Sequence, residues 1–174
     1  LGLLNYEIAY TKAVVPFAGL SLERLDLLSR QCFDERVRPQ IFTQALARLE
    51  EHHRAGERVV LLSASSVYLL ERFRDVAPID EVIAFRQRAE GGKLIADFDR
   101  PICYGPNKLV LAKRYLEPLG IPLADCAFYS DSVSDLPMLE AVGRPFAVNP
   151  DWSLKRRAQA AGWPILRFKG TLGR

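Results

Sequence analysis

The chain has 174 residues, 49% hydrophobic and 26% charged, which suits one globular domain with a buried core and room for a small appended module. Its formal charge of +3 is too small to argue for nucleic acid and permits only a weak attraction for anionic substrates. Three widely spaced cysteines (Cys32, Cys103, Cys126) form neither a disulfide framework nor a zinc pattern, and no apolar run approaches a membrane span, so a cytoplasmic protein is expected.

The first forty or so residues read as helix. Leu3, Leu4, Ile8 and Ala9 recur at helical spacing, and Pro16 and Gly19 interrupt the pattern. Ser21 is the expected N-cap of a second helix through Val37, with Leu22, Leu25, Leu28 and Cys32 on one side. Pro39 opens a third, with Ile41, Ala45, Leu46 and Leu49 as its apolar face and Gly56 as its stop. Residues 58–63 form a short apolar run, the pattern of a strand buried on both faces. A helix over 66–76 and a strand over 81–85 follow, and Gly91-Gly92 marks a hairpin turn. Asn107 is the expected cap of a helix to Leu119, stopped by Gly120. Beyond it come a strand at 126–129, a helix from Asp135 to Val142 closed by Gly143, and a strand at 146–148. A helix capped by Ser153 and a strand at 164–168 complete the chain. Strands alternating with helices from residue 58 onward predict an α/β fold with a parallel sheet.

In such sheets ligands sit beyond the carboxyl ends of the strands. Ser63-Ala64-Ser65-Ser66 follows the first buried strand, where small hydroxyl residues and a helix start suit a phosphate; a simple helix cap explains them equally. Asp131 and Asp135 follow the strand at 126–129. Two carboxylates drawn together by a turn call for a cation, and magnesium takes hard oxygen ligands beside a substrate phosphate. The competing reading is a pair of acids favoured by a helix N-terminus. Lys108 sits near the start of its helix, where a cation opposes the dipole, which weakens a structural reason for it; an ammonium beside phosphate and carboxylate is one reading, and a solvated surface lysine, the commonest fate of a lysine, is the other. His52-His53 on a charged helix reads as a solvated face, Cys126 as a buried thiol, Trp152 and Trp163 as packing residues, and Lys155-Arg156-Arg157 as a surface run.

Serine, lysine and Asp-x3-Asp in this order resemble the haloacid dehalogenase superfamily of phosphohydrolases, most of all its phosphoserine-phosphatase-like branch. Val59 to Ser65 is similar to the family's second motif and Gly105-Pro106-Asn107-Lys108 to its third. Tyr129-Ser130-Asp131-Ser132-Val133-Ser134-Asp135-Leu136-Pro137-Met138-Leu139-Glu140, with Val148-Asn149-Pro150-Asp151 after it, is similar to the fourth. The resemblance implies a Rossmann-like parallel sheet flanked by helices over 39–174, with residues 1–38 as part of a helical cap. It implies Mg2+ held by Asp131 and Asp135, phosphate held by Ser63, the Ala64 N–H, Lys108 and Ser132, and catalytic roles for Lys108 and Ser63. A small phosphorylated molecule is the implied substrate, with neither nucleic acid nor membrane as partner.

One departure stands out. The family's first motif, a strand ending in Asp-x-Asp whose first aspartate is the nucleophile, has no match at its expected place before the cap. Leu94 to Pro101 contains an Asp-x-Asp, at Asp97 and Asp99, but lies where the family has a peripheral hairpin and carries Pro101 where threonine or valine belongs. A surface strand with alternating faces is the expectation there. The chain is accordingly expected to be an N-terminally truncated phosphatase, inactive as it stands. The alternatives are an inactive binding or regulatory domain, or a dimer that covers the gap in the sheet.

Overall fold

A computed structural model describes residues 2–173, with side chains from Tyr6 onward. The chain divides into two compact units, one comprising Leu1–Ile102 with Thr171–Arg174 and the other Cys103–Gly170.

The first unit opens with α1 (Gly2–Val14) and α2 (Leu22–Cys32). The side chains of Leu3 and Leu4 lie outside the described residues. Ile8 is exposed, and α1 turns Val14 inward instead, with Tyr10 half-buried. Ser21 caps α2 as expected, its hydroxyl accepting from the Arg24 N–H. The buried face of α2 differs from the expected one. Leu25, Ser29 and Phe33 point inward, while Leu22 and Leu28 are exposed. A π-helical turn over Phe33–Val37 rotates the chain there, and Phe33 packs edge-on against Phe73. α3 (Thr43–Arg54) starts after Phe42 rather than at Pro39, which lies in a preceding 3-10 turn.

β1 (Val60–Ser66) and β2 (Glu81–Phe85) pair in parallel. Between them lie α4 (Val67–Leu70) and a 3-10 turn over Glu71–Asp75, shorter pieces than one continuous helix. Val59, Val67, Ile79 and Val82 form the buried cluster beneath, with Leu49 of α3 packed on it. Burying each such side chain contributes about 1.5–3 kcal/mol. β3 (Gln87–Glu90) and β4 (Lys93–Phe98) make an antiparallel hairpin turned by Gly91-Gly92, both at positive φ. Gln87 is buried, and its side-chain amide donates to the carbonyls of Val14 and Ile95, joining α1 to the hairpin.

The second unit contains α5 (Pro106–Leu116), β5 (Ala127–Ser130), α6 (Leu136–Leu139), β6 (Arg144–Val148), α7 (Trp152–Ala161) and β7 (Ile165–Leu166). Its three strands form a parallel sheet in the order β5-β6-β7. Leu139, Ala147, Leu154 and Ala158 are its fully buried centre, and Trp163 packs against them. Trp152 does not pack in this way: it is 69% exposed. α6 is shorter than expected, and Gly143 lies beyond its end for a steric reason. A Cβ there would meet the Ala124 carbonyl oxygen at 1.8 Å. The two units together make an α/β protein with parallel sheets, as the alternating pattern predicts.

Candidate active site

In the second unit the site begins with Gly105. Its backbone (φ 52°, ψ −130°) is one that glycine adopts readily, and it turns the chain into α5 with Pro106 in the first turn. Asn107, the expected cap, lies inside the helix, which starts earlier. Lys108 follows one turn in, its N–H donating to the Gly105 carbonyl. The Lys108 ammonium reaches Asp135 Oδ2 at 2.7 Å, and both side chains are largely buried, at 12% and 7% exposed.

Asp135 ends a 3-10 turn over Val133–Asp135 that follows β5 and leads into α6. Ser130, at the end of β5, donates its hydroxyl to the same Oδ2 at 2.8 Å and accepts from the Ser132 N–H. Asp135 Oδ1 is buried and accepts no hydrogen bond among the described residues. An anionic oxygen in that position is costly unless a donor or cation completes it. Asp131, by contrast, is exposed at the strand tip. Its carbonyl accepts from the Asp151 N–H at 2.7 Å. Asp151 in turn accepts from the Leu154 and Val133 N–H groups, capping α7 and clasping the loop after β5. These two bonds, that from Leu154 first, hold the Asp151 carboxyl below its usual range. Ser153 therefore is not the α7 cap; Asp151, two residues earlier, is. Ser132 caps the 3-10 turn, accepting from the Ser134 N–H.

In the first unit Ser63 and Ala64 lie within β1, not after it. The strand runs on to Ser66, and its register against β2 shifts between Ser63 and Ser66. Ser63 pairs with Ala84 and Ser66 with Phe85, so Ala64 and Ser65 bulge out of the ladder. The Ser65 N–H donates to Ser63 Oγ at 3.1 Å. Ser66 precedes α4 but makes no side-chain capping bond.

The remaining sequence expectations divide. Asp97 is engaged in structure: it accepts from Arg88 at 2.8 Å and Arg100 at 2.9 Å. The Arg100 hydrogen bond, then the Phe98 backbone and Arg88, bring its carboxyl down to about 2. Asp99 lies 3.9 Å from Arg86. His52 is not on a solvated face; it is 17% exposed and paired with Glu57. Cys126 is half-buried, and burial pushes its thiol up. Ser130 and Asp151 are the polar residues of this site that the sequence reading passed over. Both stand inside the fourth motif and the stretch after it, and their sequence signal is a small hydroxyl at a strand end and an acid just before a helix.

The donor chemistry suits a hard divalent cation. Asp131 and Asp135 offer only oxygens, and Asp135 Oδ1 is the orphaned buried acceptor such an ion would satisfy. No group of three or more His, Cys, Asp or Glu side chains gathers among the described residues.

Known proteins resemble this chain in sequence and in fold. The sequence model described as "haloacid dehalogenase-like hydrolase" matches residues 3–140. The "Inhibition of morphological differentiation protein" of Streptomyces azureus is 36% identical over 150 residues, covering 86% of this chain and 54% of the relative. A "probable phosphatase" of Mycobacterium tuberculosis is 33% identical over 151 residues, covering 87% of this chain and 52% of the relative. The chain thus spans about half the length of these curated relatives. Among solved structures, a protein of unknown function from Bordetella pertussis matches with a TM-score of 0.85 at 28% identity, over 92% of this chain and 73% of that one. A substrate-bound phosphoserine phosphatase matches with a TM-score of 0.69, over 95% of this chain and 73% of that one; at 21% identity this is a likeness of fold.

Proposed function

This chain belongs to the haloacid dehalogenase-like hydrolase family, and from that premise we propose that it carries the phosphate- and metal-handling residues of a magnesium-dependent phosphomonoester hydrolase. The observation that carries the proposal is the Asp135 carboxylate. One of its oxygens is held by Lys108 and Ser130, and the other is buried without a partner among the described residues.

Asp131 and Asp135 would hold Mg2+, which when bound offsets negative charge beside a phosphate. Lys108, fixed by Asp135, would place its ammonium where charge develops on the transferring group. Ser63, the Ala64 N–H and Ser132 would donate to phosphate oxygens. In the reaction an aspartate attacks phosphorus in line and the bond to the leaving oxygen breaks; water then cleaves the aspartyl-phosphate. The aspartate this requires has no counterpart among these residues at the expected place. Residues 1–38 are assigned to a helical cap and 39–174 to the α/β core. The substrate would be a small cytoplasmic phosphomonoester.

The test is hydrolysis of an aryl phosphate with and without Mg2+, by this chain and by a form extended upstream in the same reading frame. Activity is expected in the extended form and lost in Asp131→Ala. Turnover by the short form that vanishes in Asp97→Ala would move the nucleophile to the hairpin and overturn the assignment. An inactive extended form would favour a binding or regulatory domain.

A further inference from the structure

Ala64 and Ser65 bulge out of the β1–β2 ladder, so strand pairing does not fix the peptide between them. That peptide is a rigid plane with a carbonyl at one end and an N–H at the other. The N–H, of Ser65, donates to Ser63 Oγ at 3.1 Å. The carbonyl, of Ala64, accepts from the Tyr10 hydroxyl at 2.8 Å, across 54 residues of sequence. The Tyr10 ring sits against Phe85, with Phe98 farther off. Its ring centre lies 4.5 Å from that of Phe85 and 6.3 Å from that of Phe98, and Phe85 is the β2 residue paired with Ser66 at the end of the bulge.

We infer that Tyr10 is a positioning residue for phosphate binding, orienting the Ser63 hydroxyl through the Ala64–Ser65 peptide; this rests on the phosphatase reading above. The hydroxyl of Tyr10 pins one end of the plane, which aims the other end at Ser63. With the plane held, the Ser65 N–H occupies a lone pair of Ser63 Oγ and leaves its proton for an incoming phosphate oxygen. Without the phenolic hydroxyl the ring stays packed, but the peptide can rotate and the Ser63 hydroxyl loses its fixed direction. α1 thereby acts on the anion through one hydrogen bond and a peptide unit, without touching the anion itself.

The test compares Tyr10→Phe with Phe98→Leu. The first removes the hydroxyl and keeps the ring; the second loosens the same aromatic cluster and keeps the hydroxyl. In this chain, amide hydrogen exchange at Ser65 is expected to quicken about three- to tenfold in Tyr10→Phe, the scale of one lost hydrogen bond. Exchange at Val82 should not change. In the upstream-extended form, the inhibition constant of inorganic phosphate and KM should rise by a similar factor while kcat changes less than about twofold. Phe98→Leu should lower the melting temperature and leave Ser65 exchange and phosphate inhibition as they were. Unchanged exchange and inhibition in Tyr10→Phe would overturn the inference, as would an equal rise in both variants. Quickened Ser65 exchange alongside an inactive parent would retire the phosphatase reading and leave the pinned peptide standing. An active parent with unchanged exchange would retire the pinned peptide alone.

Discussion

Two pairs of aspartates sit in this chain, and their surroundings set them apart more than their spacing does. Asp97 lies in β4 and Asp99 just beyond its end, at positions that alternate with the buried Leu94 and Phe98. Both hairpin carboxylates face arginines, and Asp97 is bonded to two of them. Asp131 and Asp135 stand after a parallel strand. There one carboxylate is exposed and the other is buried, with a single oxygen satisfied by Lys108 and Ser130. The hairpin pair has its charge compensated by the protein. The second pair has one ammonium, that of Lys108, against two carboxylates, and the Asp135 oxygen left incomplete in a buried position has the capacity to take a cation.

Substitution separates the two pairs most sharply. In the extended form, Asp131→Asn should reduce Mg2+-dependent hydrolysis by at least about 100-fold, whereas Asp97→Asn should change it less than about twofold. Comparable losses from both would erase the distinction. Lys108→Met comes next, because it strands the buried Asp135 carboxylate. Urea titration should show a loss of about 3–5 kcal/mol, the usual result of removing one partner of a buried pair. A smaller effect follows from Asp151→Ala, which removes the α7 cap and the bond to Val133, and should cost about 1 kcal/mol at neutral pH. The Asp151 carboxyl is lowered in the folded chain, so this contribution is present above the ordinary carboxylate range. It is lost as pH falls through the lowered value, and stability of the parent and the variant should converge in acid. The smallest change is spectroscopic. Side-chain carbon NMR should find Asp97 titrating near 2, below its ordinary 3.8, and Arg100→Gln should move it back upward. By the same sign rule, the Asp97 pairs stabilise the hairpin above 3.8 and cease to do so as pH falls through 2.

Much of this was legible in the sequence because short apolar runs bounded by helix caps and glycines have few other solutions. The run at 81–85 is a strand over those same residues, and Ser21 caps its helix. The fourth motif block was readable as a turn because Leu-Pro-Met-Leu after Asp135 demands a helix start. Other features depend on what the folded chain places nearby. Gly105 took the role expected of Asn107 because its positive φ, not a side-chain bond, turns the chain into α5. The expected Leu22/Leu28 face of α2 gave way to Ser29 and Phe33, since a π turn and the Phe73 ring decide which side goes inward. β1 overran its apolar segment because a bulge carries pairing on to Ser66, and local pattern does not encode a bulge. The Tyr10–Ala64 bond joins residues 54 apart and leaves no mark in either neighbourhood.

The exposed indole of Trp152 has a practical consequence. It directly follows Asp151, whose backbone and carboxylate grip the loop bearing Asp131 and Val133, and Arg156 lies 4.7 Å from its ring centre. Trp163 instead packs against the fully buried centre of the same unit. The molecule therefore contains two tryptophan fluorophores with different tasks, one a gauge of the carboxylate loop and the other a reference for the core behind it.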